Sequence, residues 1–325
     1  MPPPLAERLR ALLDSTLDRT DLPGLPEPER GKVRDVYDLG PDLLIVTTDR
    51  VSAFDVVCGT VPCKGQVLNA IAAHCFERSA DLAPNHLRAC PDPNAMLVRK
   101  LDPLPVEVIV RRYISGSLWR DYSRGERRLY GIELPDGLRA DERFDELLVT
   151  PTSKAGPGEH DAPLSTEEIL SRGLVAPRVW ERVRGTALAL FARGEQEAAS
   201  KGLILVDSKY EFGLDRDTLY VMDEIHTPDS SRYWEADGSA ERFEAGQPQR
   251  MLDKENVRQW LRERGFEGHG RPPPLDDEVR VELARAYLEL QRRLLGEPPE
   301  LPADGLDVHA RLVDSLARAG ILKGP

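Results

Sequence analysis

The sequence predicts a protein that combines α-helices with an antiparallel β-sheet, and three observations support this fold class. Two strand-like runs, at 33–38 and 43–48, are separated by Gly40 and Pro41, which indicates a β-hairpin. The segment 176–201 is predicted instead as a long helix that leads into a short apolar strand. The length of 325 residues suggests two domains or one large α/β domain, so the size of the hydrophobic core is not limiting.

The first third of the chain is predicted as mainly antiparallel sheet. A short amphipathic helix near the start is indicated by leucines at helical spacing, namely Leu5, Leu9, Leu12 and Leu13. After the hairpin, a helix is expected around 67–76, and β-like runs follow at 97–101 and 106–110. From about 120 to 171 no helical or strand periodicity is seen, and Gly, Pro, Asp and Glu are frequent, which predicts a long functional loop.

The second half is predicted to alternate between helix and strand. The helix at 176–201 precedes a buried strand at 203–206, and a turn at 213–217 separates this strand from another at 219–222. A late helix begins where Asp276 or Asp277 caps it and ends at Gly296. After residue 298 a Pro-rich connector and one more short helix are expected.

Composition and charge limit the possible partners. The chain has 44 Lys and Arg against 56 Asp and Glu, and its formal charge of −12 argues against nucleic acid or an anionic membrane as the main partner. No window approaches 18 uninterrupted apolar residues, and the N-terminus lacks a signal-peptide core. The four cysteines form no C-x-x-C pair and are expected to be free thiols. These features predict a cytoplasmic enzyme or binding protein.

A basic turn is the first candidate site. In Gly31-Lys32-Val33-Arg34-Asp35, backbone amides and cations meet at a turn, as the phosphates of a nucleotide require. The segment is not a Walker A loop, because Val33 follows the lysine where that motif needs Ser or Thr. The alternative is a solvated basic turn without a ligand.

A charged strand is the second candidate. Strand alternation over 205–213 places Asp207, Lys209 and Glu211 on one face and apolar side chains on the other. Three charged side chains in a strand that begins as a buried apolar run are costly unless they are paired or coordinated. The alternative is an edge strand whose outer face carries salt bridges.

Acidic and hydroxyl residues after the next strand form a third candidate. The predicted turn places Asp223 near Glu211, and two such carboxylates make a credible Mg²⁺ site, since Mg²⁺ takes one or two carboxylates plus phosphate oxygens. Asp229 to Arg232 then offer a carboxylate, two hydroxyls and a guanidinium for an anionic, hydroxylated ligand. A Pro-Asp-Ser-Ser turn that arises by chance is the alternative.

A fourth candidate lies in 104–117. Glu107 and Arg111 share a strand face, and Gly116 and Ser117 could offer an amide and a hydroxyl to a phosphate group directly afterwards. Arg111 and Arg112 together in an acidic protein suit a fixed anion. The alternative is an ordinary pair of surface arginines.

Taken together, these segments resemble the phosphoribosylaminoimidazole-succinocarboxamide synthase family, also called SAICAR synthetase, in its longer form. The two signature stretches of that family are similar to 104–117 and 205–213, with Ser115 where the pattern usually has Thr or Ala. The resemblance reaches to about residue 261 and includes four further segments, namely 31–35, 48–55, 150–161 and 223–234.

The resemblance implies an α+β fold, with an N-terminal antiparallel-sheet domain, a larger α/β domain and ATP in the cleft between them. The implied domains are 1–120, 121–297 and a C-terminal connector with a short helix at 298–325. The implied reaction joins carboxyaminoimidazole ribotide to L-aspartate at the expense of ATP, with Mg²⁺, to give the succinocarboxamide, ADP and phosphate in purine biosynthesis. No nucleic acid or membrane partner is expected.

The same resemblance implies roles for individual residues. The residues implied to bind the nucleotide are Gly31, Lys32, Arg34 and Asp35. Those implied to bind the ribotide are Arg111, Ser117, Asp229 and Arg232. The implied catalytic residues are Lys209, Glu211 and Asp223. Glu211 and Asp223 are also implied to bind Mg²⁺, with Glu107 as a further ligand. Asp207 is expected to support these residues from behind, and the loop around 153–161 is expected to close over the site and contact aspartate.

Two other functions remain as alternatives. A small-molecule kinase would share the lysine, the paired acids and Mg²⁺, but the segments 111–117 and 229–232 favour the ligase because they offer anion sites beyond ATP. A nucleotide-responsive binding protein without catalysis has little support, since Lys209, Glu211 and Asp223 are all present. The sequence leaves the oligomeric state and the role of the tail after residue 298 open.

Overall fold

The computed structural model describes residues 4–154, 161–252, 254–297, 299–303 and 305–322. The helices are α1 (Leu5–Ala11), α2 (Lys64–Arg78), α3 (Gly116–Ser123), α4 (Thr166–Ser171), α5 (Pro177–Ser200), α6 (Ser239–Glu244), α7 (Glu255–Glu263), α8 (Asp277–Leu295) and α9 (Val308–Arg318). The strands of the first hundred residues are β1 (Glu29–Arg30), β2 (Arg34–Asp38), β3 (Asp42–Thr47), β4 (Arg50–Ala53), β5 (Val56–Thr60), β6 (Leu87–Asp92) and β7 (Ala95–Arg99). The remaining strands are β8 (Asp102–Tyr113), β9 (Arg128–Leu129), β10 (Ile132–Glu133), β11 (Arg143–Ser153), β12 (Leu203–Asp215), β13 (Thr218–Met222) and β14 (Ser231–Glu235).

The chain divides into two compact units, each built from separate segments. The first unit takes residues 1–74, 87–100 and 252–325, and the second takes 75–86 and 101–251. Antiparallel sheets with helices occur in both, which confirms the predicted α+β class. The domain boundaries at residues 120 and 297 stay a prediction.

The first unit is organised around a five-stranded antiparallel sheet in the order β1-β2-β3-β7-β6. β2 and β3 form the predicted hairpin, with Asp38 opposite Leu43 at its turn. One hydrophobic core joins this sheet to the C-terminal helix: Leu17, Leu22, Tyr37, Leu44, Val46, Ala95, Val308, Leu312, Leu316 and Leu322 are all buried in it. The expected short helix in the tail is therefore present, and it supplies core residues.

The second unit is built on the antiparallel sheet β11-β8-β12-β13, with β14 also paired to β12. Its central strands alternate between a buried apolar face and a charged face. α5 packs against β12 and β8. Its buried residues recur at helical spacing and so form one stripe along the helix, which faces the apolar side of the sheet: Trp180, Val183, Ala187, Leu190, Phe191, Gly194 and Ala198. The charged face is therefore the one that can carry a site.

Several predicted elements are confirmed. α1, α2 and α5 lie where the sequence places helices, and β7, β8, β12 and β13 overlap the predicted strands. α8 begins at the cap Asp276, whose side chain accepts from the Val279 N–H, and ends at Gly296 in a left-handed conformation. None of the helices among the described residues is long and apolar enough to cross a membrane.

Two predictions about the middle of the chain are wrong. The long loop expected from about 120 to 171 contains the hairpin β9–β10, the eleven-residue strand β11 and α4. β11 is polar at many positions, and its strand conformation comes from pairing with β8 rather than from its own composition.

The turn expected at 213–217 is shorter, because β12 continues to Asp215. Gly213 lies within the strand, where a Cβ atom would stand 2.8 Å from the Leu101 side chain. The glycine therefore serves a close approach between strands rather than a turn.

Candidate active site

A row of charged side chains crosses two neighbouring strands of the second unit. β12 pairs with β8 so that Asp207 lies opposite Arg111 and Glu211 lies opposite Glu107. Because opposite residues of an antiparallel pair project on the same side, the charged face predicted for β12 continues onto β8. Lys209 joins the two strands, since its Nζ lies 2.8 Å from Oε1 of Glu107 and also contacts Glu211. We call Glu107, Lys209 and Glu211 the acid–lysine cluster.

Lys154 enters the acid–lysine cluster from a third strand. β11 pairs with β8 up to Ser153, opposite Val106, and Lys154 follows directly. Its Nζ lies 2.6 Å from Oε2 of Glu211. The sequence predicts Lys154 in a closing loop and does not indicate this ion pair, because the ion pair depends on the register of β11, which the sequence predicts as loop. Gly158, Glu159 and His160 of the same expected loop lie outside the described residues.

Burial and charge set the protonation of this cluster. Burial, opposed by the ammonium of Lys209 and assisted by the carboxylate of Glu211, raises the pKa of Glu107 to about 7. Burial also disfavours ionisation of Glu211, yet Lys209 and Lys154 hold its pKa well below the ordinary value. Burial works against the charge of Lys209, but Glu211, Glu107 and Asp223 raise its pKa well above the ordinary value. Lys209 and Glu211 are therefore a persistent ion pair.

Asp223 follows β13 and approaches the same cluster. The neighbouring residue Met222 lies opposite Glu211, and Asp223 has a φ of 67°, which turns the chain at the end of the strand. Its charge acts on both Lys154 and Lys209, raising the pKa of each. The predicted proximity of Asp223 and Glu211 thus has electrostatic support.

Arginines form the other end of the charged row. Asp207 accepts from Nη1 of Arg111 at 2.9 Å and also contacts Arg232. Arg111 is buried, and it donates further to the hydroxyl of Thr150 at 2.9 Å and to that of Ser117 at 3.3 Å. We call Arg111 and Arg232 the arginine pair; Asp207 orients both, as expected for a supporting residue.

Gly116 allows the arginine pair to approach the start of α3. Its φ is 59°, and a Cβ atom there would stand 2.1 Å from Nη2 of Arg232. Any larger residue would displace the guanidinium, so the glycine that begins α3 is required by a close contact as well as by its backbone conformation. The predicted ligand-binding residues Arg111, Ser117 and Arg232 are thus brought together.

Hydrogen bonds to buried groups hold the segment from Asp223 to Ser231 in place, and no sequence pattern indicates them. His226 is buried, has a φ of 58° and shares a 2.8 Å hydrogen bond between its Nε2 and the Tyr210 hydroxyl. The Tyr233 hydroxyl donates to the His226 carbonyl at 2.8 Å. Ser230, next to Asp229, accepts from the Lys209 N–H through its carbonyl at 2.9 Å. The segment that carries Asp223 and Asp229 is therefore tied to the strand of Lys209.

The basic turn lies in the first unit. Lys32 forms an exposed ion pair with Asp55, and the N–H of Gly31 closes the turn by donating to the Arg34 carbonyl at 2.8 Å. The carboxylate of Asp35 is fully buried, where it accepts from Arg50 at 2.8 Å and from the Thr20 N–H at 2.8 Å. Asp35 thus holds the turn from inside rather than presenting its side chain to a ligand.

No group of three or more His, Cys, Asp or Glu side chains that could hold a metal ion occurs in the part of the chain that the structure describes. The oxygens of Glu211 are already engaged by two ammonium groups. All four cysteines are free, as predicted, with Cys90 exposed and the others buried.

Comparison with known proteins agrees with this geometry. The family model of SAICAR synthetase matches residues 27–273. A phosphoribosylaminoimidazole-succinocarboxamide synthase from Bacteroides thetaiotaomicron is 49% identical over 287 residues, which are 86% of this chain and 91% of that relative.

Solved structures give the same result. The SAICAR synthase from Saccharomyces cerevisiae complexed with SAICAR superposes with a TM-score of 0.75 at 30% identity, over 87% of this chain and 99% of that chain. A type-2 SAICAR synthetase in complex with ADP shares the fold, with a TM-score of 0.66 at 24% identity, over 85% of this chain and all of that chain. The chain belongs to the SAICAR synthetase family.

Proposed function

We propose that this chain is a phosphoribosylaminoimidazole-succinocarboxamide synthase, with the charged row of β8 and β12 as its reaction centre. The enzyme joins carboxyaminoimidazole ribotide to L-aspartate, consumes ATP and releases ADP and phosphate in purine biosynthesis. The observation that carries the assignment is the order of groups along one sheet face: an arginine pair at one end and the acid–lysine cluster at the other. Membership of the family supports the reaction.

The arginine pair would bind the phosphate group of the ribotide. Guanidinium groups suit this ligand because their N–H groups match phosphate oxygens in bidentate hydrogen bonds. Ser117 would add a hydroxyl, and Asp229 would accept from the ribose. Asp207 holds both guanidinium groups in place before the ligand arrives, which reduces the entropy lost on binding.

The acid–lysine cluster would serve the transfer of the γ-phosphoryl group. A carboxylate reacts with an amine only when one of its oxygens is made a leaving group. The ribotide carboxylate oxygen attacks the γ-phosphorus of ATP and ADP leaves. The aspartate nitrogen then attacks the acyl carbon, loses a proton, and phosphate departs with that oxygen. Lys209 remains protonated and would neutralise charge on the transferring group.

Mg²⁺ fits this cluster only as a partner of the nucleotide. In the described residues no three acids are arranged to hold a metal ion by themselves, but Mg²⁺ needs only one or two carboxylates when phosphate oxygens and water complete its shell. Glu211 and Asp223 would hold the ion, with Glu107 as a further ligand. When bound, the ion neutralises charge on the phosphates of ATP.

The turn of the first unit would hold the phosphates of the nucleotide. Gly31, Lys32 and Arg34 supply amides and cations, and Asp35 anchors the turn. The type-2 SAICAR synthetase that shares this fold was solved in complex with ADP, and this supports ATP as the co-substrate. The cytoplasm is the proposed location, which the four free cysteines support.

The experiment that tests this function follows an oxygen atom. We expect that ribotide labelled with ¹⁸O in its carboxylate, incubated with ATP, Mg²⁺ and aspartate, gives phosphate that contains one labelled oxygen. Lys209→Met, which removes the charge at similar length, should suppress the transfer, whereas Lys201→Met, at an exposed lysine, should not. Product formed with unlabelled phosphate would contradict the activation mechanism. ADP formed at full rate without aspartate, with a stable phosphorylated ribotide, would favour the kinase.

A further inference from the structure

We propose that Arg50 is a positioning residue for the nucleotide, because it shapes the turn from Gly31 to Arg34 so that the turn offers only hydrogen-bond donors to a phosphate. The inference rests on the proposed role of this turn, and it assigns a function to a buried arginine that lies outside the turn in sequence. We call Gly31, Lys32, Val33 and Arg34 the basic turn.

The Arg50 guanidinium binds three of the four carbonyl groups in the basic turn. Its Nε donates to the Lys32 carbonyl at 3.2 Å, and its Nη2 donates to the carbonyls of Gly31 at 3.0 Å and Arg34 at 3.2 Å. Nη2 also donates to Asp35 at 2.8 Å, and Nη1 contacts the Asp18 carbonyl. Arg50 is only 7% exposed, so this cation is committed to the inside of the turn.

The fourth carbonyl is held by the residue that lies two positions before Arg50. The Thr48 N–H donates to the Val33 carbonyl at 3.0 Å, and the Thr48 hydroxyl donates to the same oxygen at 2.8 Å. Every carbonyl oxygen of the basic turn therefore has an internal donor. A phosphate that approaches the turn does not meet an uncompensated carbonyl dipole.

The peptide geometry then decides which groups face a ligand. In a trans peptide the C=O and the next N–H point in opposite directions, so carbonyls of Gly31 and Lys32 that face Arg50 turn the N–H groups of Lys32 and Val33 away from it. Among the residues that the structure describes, neither of these two N–H groups donates a backbone hydrogen bond. Successive outward N–H groups form a concave anion site. The ammonium of Lys32, from the same turn, pairs with the exposed carboxylate of Asp55.

Arg30 provides a matched control for Arg50. It is also an arginine bound to the buried carboxylate of Asp35, at 3.1 Å, and it donates to the Thr20 carbonyl at 2.8 Å. No contact of Arg30 with a carbonyl of the basic turn occurs among its hydrogen bonds in the described structure. Arg30→Lys and Arg50→Lys thus both remove a guanidinium that binds Asp35, but only Arg50→Lys also removes the hydrogen bonds to the carbonyls of the turn.

The test measures ADP and ribotide binding separately by calorimetric titration of the full chain. Arg50→Lys keeps the charge but loses the fork of donors, and we expect it to raise the Kd for ADP about tenfold while the Kd for the ribotide stays unchanged. Arg30→Lys should leave both unchanged. Thr48→Val, which keeps the N–H and loses the hydroxyl, should raise the Kd for ADP about threefold, and it carries the test where Arg50→Lys does not fold.

Three results would overturn the inference, and they separate it from the proposed function. If Lys32→Met weakens ADP binding and both Arg50→Lys and Thr48→Val do not, the turn binds the nucleotide without the help of Arg50. If Arg30→Lys weakens ADP binding as much as Arg50→Lys, the effect acts through Asp35. If Lys32→Met also leaves ADP binding unchanged, the basic turn does not bind the nucleotide, and its assignment in the proposed function fails as well.

Discussion

Lys209 lies between two carboxylates, and this arrangement sets the charge of the candidate active site at the scale of single residues. Burial by itself would favour the neutral amine, but Glu211, Glu107 and Asp223 keep the pKa of Lys209 well above its ordinary value. The same lysine, together with Lys154, keeps the pKa of Glu211 low. The pairing therefore keeps Lys209 a cation and Glu211 an anion, which are the charges that the proposed function requires of them.

The carboxylates of Glu211 and Asp223 are expected to be essential for turnover. Glu211→Gln or Asp223→Asn should cost about 3 kcal/mol or more of transition-state stabilisation, because each removes a charge from the site where phosphoryl charge develops. Single-turnover rates at saturating Mg²⁺ would measure this loss. Glu126→Gln changes an exposed carboxylate of the same unit and serves as the control. Near-normal rates in both site variants would remove these residues from the metal site.

His226 is expected to make stability depend on pH. Burial lowers its pKa to about 4, below the 6.5 of an ordinary histidine, so the unfolded chain binds a proton more readily than the folded chain between these values. The contribution of the neutral His226 to the free energy of unfolding is complete above pH 6.5 and is lost as the pH falls toward 4.

Denaturant unfolding at pH 7 and pH 5 would measure this effect. About 2 kcal/mol of the free energy of unfolding should disappear at pH 5 through His226, and His226→Gln should reduce the pH dependence by that amount. Equal pH dependence in the wild type and the variant would contradict the assignment.

At the scale of elements, one strand and one helix position the site. β12 presents charged residues on one face, and on the other it presents Tyr210, whose hydroxyl bonds to His226. α5 lies on that second face, and its Gly194 leaves space for the imidazole. The position of the segment after β13 therefore depends on a helix that carries no predicted catalytic residue.

Two glycines of α5 are expected to respond oppositely to replacement by alanine. A Cβ atom at Gly194 would lie 2.4 Å from Cε1 of His226, so Gly194→Ala should destabilise the protein by about 1–3 kcal/mol through overpacking. Gly185 is exposed and has no neighbour within 4 Å of an added Cβ atom, so Gly185→Ala should stabilise the helix by about 0.5–1 kcal/mol. Thermal unfolding of both variants tests the pair, and a stabilised Gly194→Ala protein would exclude the close contact.

At the scale of the whole chain, the last helix belongs to the core of the first unit. α9 begins at Asp307, whose side chain caps the Ala310 N–H at 3.0 Å, and it buries Leu312 and Leu316 against the sheet. Arg311 of the same helix donates to Asp92 at 2.9 Å. The tail whose role the sequence left open thus stabilises the unit that carries the basic turn.

Leu312→Ala is expected to destabilise the first unit. Leu312 has no exposed surface, and its truncation should cost about 3 kcal/mol through lost burial and a residual cavity. Leu5→Ala, at a side chain that is 42% exposed in the same unit, should change stability by at most about 0.5 kcal/mol. Unfolding curves of the two variants compare them. A loss for Leu312→Ala no larger than that for Leu5→Ala would show that the tail is dispensable for the core.

Much of the candidate site could be predicted from local pattern. Alternation along β12 correctly grouped Lys209 with Glu211, and a turn between two strands correctly indicated that Asp223 approaches them. Lys154 was missed as an ion-pair partner because β11 has little strand character of its own and is defined by the pairing of Ser153 with Val106. Arg50 and His226 were missed because a single sequence does not show which buried polar groups satisfy one another.

The sequence by itself determined the α+β class, the hairpin of β2 and β3, the capped helix α8 and the charged face of β12, because short-range periodicity and turn chemistry encode these features. The resemblance to one family also came from the sequence, through the residues of its matching segments. Tertiary structure alone decided which strands that are distant in sequence lie side by side. That pairing places Glu107 beside Lys209, Arg111 beside Asp207 and Lys154 beside Glu211. It also placed Arg50 under the carbonyls of the basic turn and α9 in the core of the first unit. These contacts join residues far apart in the chain, and the free energy that selects them comes from burial and from satisfying buried polar groups, which no local pattern records.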